Sequence, residues 1–130
     1  MTIVVNGTFD ILHRGHIEML EYAKSLGDQL LVCIDTDRRV TELKGPTRPI
    51  NNQQDRAFIL QSLKCVDIVE FFDSTEELIN IIEMYRPDIM VKGSDYIGNP
   101  IVGESLCKEI KFYDRTEHST TKIIQRIINR

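Results

Sequence analysis

The chain of 130 residues has three cysteines, Cys33, Cys65 and Cys107, and no two of them form a C-x-x-C pair. An odd, scattered set argues against a disulfide framework or a zinc site of that kind. Cys33 and Cys65 lie in apolar runs and read as core. The sequence also lacks any apolar stretch approaching the roughly 20 residues of a membrane-spanning helix. Its opening run, Thr2 to Val5, reaches Asn6-Gly7 too soon to be the apolar region of a signal peptide. Charged residues make up 28% of the chain but form no long block of one sign, and the net charge is −4. That balance speaks against wholesale binding of nucleic acid, while leaving room for a local basic pocket. Internal repeats, low-complexity tracts and linkers are absent as well. What remains is a soluble, cytoplasmic protein with one domain over residues 1–130, whose hydrophobic share of 42% suits an ordinary core.

The apolar pattern alternates between short continuous runs and helical spacing. Thr2 to Val5, Leu30 to Ile34, Val66 to Phe72 and Asp88 to Val91 read as strands, with Glu109 to Tyr113 as a last edge strand. Between them, Ile17, Leu20, Ala23 and Leu26 recur at helical spacing up to Gly27, which stops the helix. Asp55 to Leu63 is a short helix with Phe58, Ile59 and Leu63 on one side. Glu76 to Tyr85 is a helix with Leu78, Ile81 and Ile82 inward and Ser74 or Thr75 as its cap. Ser119 opens a closing helix whose apolar stripe is Ile123, Ile124, Ile127 and Ile128. The segment from Arg38 to Asn52, with Gly45, Pro46 and Pro49, reads mostly as loop, and Lys92 to Val102 as a Gly/Pro loop. Uniformly hydrophobic strands alternating with helices imply an α/β domain on a parallel sheet, doubly wound and Rossmann-like.

In such a fold the carboxyl end of the first strand faces the ligand crevice. Here that end is followed by Gly7-Thr8-Phe9-Asp10 and then by His13-Arg14-Gly15-His16 at a helix start. A helix N-terminus offers unpaired N–H groups and a positive dipole end, which suits phosphate. Gly7 and Gly15 permit close approach to the backbone. His13 and His16 are three apart and project to one side of the first turn. Two imidazoles aimed at one phosphate would stabilise the extra charge of a pentacoordinate transition state. The same spacing also occurs by chance or as a metal pair. Two of the chain's three histidines fall at this strand end, however, with glycine on both sides, and that favours phosphate chemistry.

The pattern Gly-Thr-Phe-Asp-x-x-His-x-Gly-His resembles the signature of the cytidylyltransferase-like nucleotidylyltransferase superfamily. Lys92-Gly93-Ser94-Asp95-Tyr96 and Ser119-Thr120-Thr121-Lys122-Ile123-Ile124 fit the same superfamily, in the right order along the chain. The resemblance implies that His13 and His16 contact the nucleotide phosphates and that Thr8 and Phe9 line the α-phosphate site through backbone groups. Lys44 resembles a mobile phosphate-binding lysine. Ser119, Thr120 and Thr121 resemble the group that holds the β and γ phosphates, and taken alone they would be a plain capping motif. Gly93 and Asp95 would lie beside base and ribose, and Lys92 beside phosphate or acceptor. Arg115 joins the nucleotide-binding set. Asp10 and Arg56 are assigned to the acceptor, although Arg56 reads equally well as an interface or solvated helix arginine.

The implied reaction is attack by an acceptor phosphate oxygen on the α-phosphorus of a nucleoside triphosphate, with release of pyrophosphate. The attacking phosphate is already ionised, so positioning and charge neutralisation suffice. Mg²⁺ is expected on the triphosphate, with no metal site of the protein's own. The partners implied are a nucleoside triphosphate, a phosphorylated sugar or polyol, and a second copy of the chain in a homodimer. Leu43 to Asn51, Val91 to Tyr96 and Ile101 to Gly103 are similar to heptose 1-phosphate adenylyltransferases, which form ADP-heptose. Arg115-Thr116-Glu117-His118-Ser119-Thr120-Thr121 resembles the Arg-Thr-Glu-Gly-Ile-Ser-Thr-Thr signature of glycerol-3-phosphate cytidylyltransferase, with one residue missing and the glycine replaced by His118. The heptose type is preferred, and ATP or CTP stays open. A nucleotide-binding regulatory module without turnover is the reading from a different class.

Overall fold

The computed structural model describes residues 1–114 and 119–129. Among these, the strands β1 (Thr2–Gly7), β2 (Gln29–Asp35), β3 (Ile68–Phe72), β4 (Ile89–Gly93) and β5 (Glu109–Tyr113) form one sheet in the order β3-β2-β1-β4-β5. Every neighbouring pair is parallel. The order reverses at β1, so the crevice at the carboxyl ends of β1 and β4 is the topological switch point of a doubly wound sheet.

Side chains alternate between the two faces. Ile3, Val5, Leu30, Val32, Ile34, Ile89 and Val91 pack with Leu20 and Ala23 of α1 (Arg14–Ser25) and with Ala57 and Leu60 of α3 (Gln53–Gln61). Val4, Leu31, Cys33, Phe72 and Met90 pack on the other face with Leu78, Ile81 and Ile82 of α4 (Thr75–Tyr85). Both faces are covered, which is why the inner strands β1, β2 and β4 are largely hydrophobic rather than alternating. Cys33 is a core residue, and burial next to Glu70 pushes its thiol up to about 12. Ser74 caps α4, its hydroxyl accepting from the Glu77 amide at 3.1 Å.

Several expectations change or sharpen. The segment after β2 is not mostly loop, because α2 runs over Asp37–Lys44. Only Val40 of it is buried, so it shows no apolar period. Polar contacts hold it: the Thr36 hydroxyl caps the Arg39 amide, and Arg38 pairs with Asp73 and Glu42. In α3 the inward residues are Arg56, Ala57 and Leu60, while Phe58 is 71% exposed. Gly27 follows a C-cap at Leu26, and a Cβ there would lie 2.7 Å from the Met1 carbonyl oxygen. Its smallness lets the start of β1 pass close by. In α5 (Thr120–Ile128) no residue is buried, and Ile127 and Ile128 are well exposed. No helix among the described residues is long and apolar enough to cross a membrane.

Candidate active site

His13 is the N-cap of α1 and His16 its third residue. The His13 Nδ1 accepts from the Gly15 amide at 3.1 Å, and the His16 Nδ1 accepts from the His13 amide at 3.2 Å. This is a reciprocal capping box in which imidazoles replace the usual hydroxyl and carboxylate. It has a chemical consequence. With Nδ1 acting as an acceptor, each neutral ring carries its proton on Nε2, so both rings are set as Nε2–H donors. The rings stack with centroids 3.8 Å apart and planes 22° apart, and Phe9 packs on His16 at 5.2 Å. The spacing of the two histidines therefore does place them side by side, at the positive end of α1.

The loop between β1 and α1 is conformationally demanding. Phe9 and Ile11 take positive φ, 53° and 49°, although neither is glycine and Ile11 is β-branched. Each such residue costs on the order of 1–3 kcal/mol and persists only where its surroundings fix it. Asp10, between them, supplies the fixing. Its carboxylate accepts from the amides of Ile50 at 2.7 Å and Asn51 at 2.9 Å, and its backbone carbonyl accepts from the Thr120 hydroxyl. Its side chain is 1% exposed, so Asp10 acts on the loop after α2 rather than presenting its carboxylate to solvent. The space above Gly7 is likewise filled from within, since a Cβ there would lie 3.1 Å from the Phe9 ring.

Arg56 is not a solvated helix arginine, for its side chain is fully buried. Its Nε donates to the Asn51 carbonyl at 3.0 Å. Its other nitrogens donate to the carbonyls of Thr8 and Asp35, both at 2.9 Å, and to the Asp37 carboxylate at 2.8 Å. One guanidinium thus staples the ends of β1 and β2 to α2 and to the loop before α3. Lys44 is the last residue of α2, and its charge favours the ionised form of Asp35. Burial nevertheless pushes the Asp35 carboxyl above the usual range, with Arg39 opposing from 3.2 Å.

Across the crevice, Lys92 and Gly93 end β4, and the Lys92 ammonium lies 4.5 Å from the centre of the Tyr96 ring. Asp95 sits in the 3₁₀ turn Ser94–Tyr96, its carbonyl accepting from Asn99. Ser119 caps α5, accepting from the Lys122 amide at 3.0 Å, and Thr120 and Thr121 open that helix. Arg115 and His118 lie outside the described residues. The structure thus brings His13, His16, Thr8, Asp10 and Thr120 together, with Lys92, Gly93 and Asp95 at the neighbouring strand end. Sequence reasoning did not single out Arg48, whose Nε lies 3.5 Å from the Asp10 carboxylate. The available signal was its place in the Lys44–Asn51 run, four residues beyond Lys44. The donors gathered here are imidazole and backbone N–H groups with an ammonium nearby, a set that meets phosphate oxygens rather than a bare cation.

Known proteins resemble this chain over nearly its whole length. A family model described as cytidylyltransferase-like matches residues 4–126. The bifunctional protein HldE of Campylobacter fetus is 48% identical over 126 residues, and that of Helicobacter pylori strain Shi470 is 46% identical over 126 residues. Each alignment covers 96% of this chain but 27% of the relative, so the chain spans about a quarter of the length of the curated relatives it matches. Among solved structures, a lipopolysaccharide core biosynthesis protein from Thermoplasma volcanium superposes with a TM-score of 0.71 at 23% identity, covering 89% of this chain and 98% of that one. That likeness is one of fold. With the paired histidines at the end of β1 and the family model matched over nearly the whole length, the chain belongs to the cytidylyltransferase-like family of nucleotidylyltransferases.

Proposed function

We propose that the protein transfers an adenylyl group from ATP to a heptose 1-phosphate, releasing pyrophosphate and forming ADP-heptose. The observation that carries the reading is the stacked His13–His16 pair at the N-terminus of α1, whose Nδ1 atoms both accept from backbone amides, which sets each neutral ring with its proton on Nε2. The choice of acceptor rests on the similarity of Leu43–Asn51 and Val91–Tyr96 to heptose enzymes, and it is supported by the 46–48% identity to bifunctional HldE proteins.

In this reading, the acceptor phosphate attacks the α-phosphorus in line, and the pyrophosphate leaves from the opposite side. The imidazole N–H groups of His13 and His16 neutralise charge developing on the α-phosphate oxygens. The amides at the start of α5, with Ser119, Thr120 and Thr121, hold the leaving phosphates, and Lys44 approaches from α2. Gly93 and Asp95 border base and ribose, with Lys92 beside them. Asp10 and Arg56 position the β1–α1 loop instead of touching substrate. Mg²⁺ would travel with the triphosphate, chiefly on phosphate oxygens. A cytoplasmic homodimer completes the proposal, and sedimentation at micromolar concentration checks the oligomer.

The deciding experiment is a pyrophosphate-release assay crossing ATP and CTP with heptose 1-phosphate, glycerol 3-phosphate and other phosphorylated polyols. Turnover with ATP and heptose 1-phosphate supports the proposal. Turnover with CTP and glycerol 3-phosphate would replace it with CDP-glycerol formation. Silence across the panel alongside tight nucleotide binding would favour a regulatory module.

A further inference from the structure

The two arginines beside the β1–α1 loop are used very differently. Arg56 donates four hydrogen bonds to carbonyls and a carboxylate of the protein. The guanidinium of Arg48 donates none among the described residues. Its Nε is buried with no hydrogen-bond partner there, and its ion pair with Asp10, at 3.5 Å, is longer than a good hydrogen bond. Yet its side chain is only 13% exposed. A guanidinium drawn out of water with its donors unspent is costly, and an anionic ligand offering several oxygens relieves that cost.

The surroundings locate such a ligand. Asp10, the residue that holds Arg48, is three residues before His13 in the chain. Its carbonyl meets the Thr120 hydroxyl, and its carboxylate grips the Ile50 and Asn51 amides just beyond Arg48. The loop is tethered on its other side as well, through the Thr41 hydroxyl to the Arg48 carbonyl at 2.7 Å. Arg48 is therefore held on a fixed loop beside the N-termini of α1 and α5, where the proposed reaction places its phosphates.

We propose that Arg48 is a phosphate-binding residue of this site, its planar fork taking oxygens of a substrate phosphate, with Asp10 as the positioning residue that aims it. The fork geometry matches a phosphate edge, which a lysine at the same place would meet only as a point charge. The inference rests on the nucleotidylyl transfer reading. It adds that the loop after α2 contributes a fixed guanidinium in addition to Lys44.

The test compares Arg48→Ala, Arg48→Gln and Asp10→Asn with wild type in steady-state turnover, with thermal melting as the control for folding. Loss of a charge-assisted contact should raise KM for one phosphate substrate by about ten- to a hundredfold. In the arginine variants the melting temperature should hold. A rise confined to ATP assigns the nucleotide phosphates, and a rise confined to the sugar phosphate assigns the acceptor. Asp10→Asn should raise the same KM as Arg48→Ala. If Arg48→Ala does not fold, Arg48→Gln decides by the same criterion. Should wild type turn over no substrate pair, calorimetric titration with ATP and with inorganic phosphate still separates the two questions. At least tenfold weaker binding of either probe by the folded variant supports the role of Arg48. KM values or affinities within twofold of wild type in a folded arginine variant overturn it.

Discussion

The hydroxyl of Thr120 donates a hydrogen bond to the backbone carbonyl of Asp10, tying the start of the last helix to the loop between the first strand and first helix. These residues are 110 positions apart, and each lies within a motif first read as a separate phosphate contact. Their junction makes the two helix N-termini a single wall. Thr120→Val keeps the shape but leaves the Asp10 carbonyl without its donor, at a cost of about 1–2 kcal/mol. Its apparent affinity for nucleoside triphosphate should fall, while Thr120→Ser stays near wild type. Chemical denaturation and a KM series check the pair.

His16→Ala removes one Nε2–H donor and half of the capping box. Turnover should fall by two or more orders of magnitude, as when one preorganised donor to a developing oxyanion is lost. Stability should fall by only about 1 kcal/mol, the usual worth of a cap. A folded variant with near-normal kcat would remove His16 from the chemistry.

Arg56→Ala leaves three carbonyls and the Asp37 carboxylate without their buried donor. The expected loss is about 3–5 kcal/mol in urea denaturation. Arg56→Lys should recover only part of it, since one ammonium has three donors and no planar fork. A loss below about 1 kcal/mol in Arg56→Ala would show that the staple is dispensable.

The pH response follows from carboxylates held by hydrogen bonds and ion pairs within the fold. The Thr2 amide, at 2.8 Å, and Lys108 hold the Asp88 carboxyl below its usual range. The hydroxyl of Thr36, with Arg38, does the same for Asp73. A depressed folded-state pKa gives stability that is present above the unfolded value, about 3.9, and is lost as pH falls through the folded value. Burial raises Asp35, which acts in the opposite sense. The melting temperature should therefore drop as pH falls from about 5 toward 3. Asp88→Asn should flatten part of that slope, with its largest deficit near neutrality. An unchanged slope would count against Asp88.

Much of this protein was legible in its sequence because the relevant physics is local. A β-branched run closed by Asn6-Gly7 has few alternatives to a strand. Histidines three apart at a helix start share a face whatever packs around them. Ser119 before Thr120 and Thr121 caps a helix for the same reason. The continuous hydrophobicity of Leu30 to Ile34 announced a strand covered on both sides, and with it the parallel sheet.

Tertiary structure decided what depends on groups distant in sequence. Helix α2 buries a single side chain, Val40, so no apolar period could mark it, and its Arg38 partner Asp73 lies 35 residues away. Arg56 looked like any helix arginine until the carbonyls of Thr8 and Asp35 surrounded it. Asp10 looked like a substrate contact, and its carboxylate turned inward to amides 40 and 41 residues away. The sequence by itself determined the strands, the paired imidazoles and the Ser119 cap, since each is set by spacing along one element. Only the folded chain decided which polar groups are spent on the protein itself, because hydrogen-bond partners across the crevice are chosen by the packing of the whole sheet.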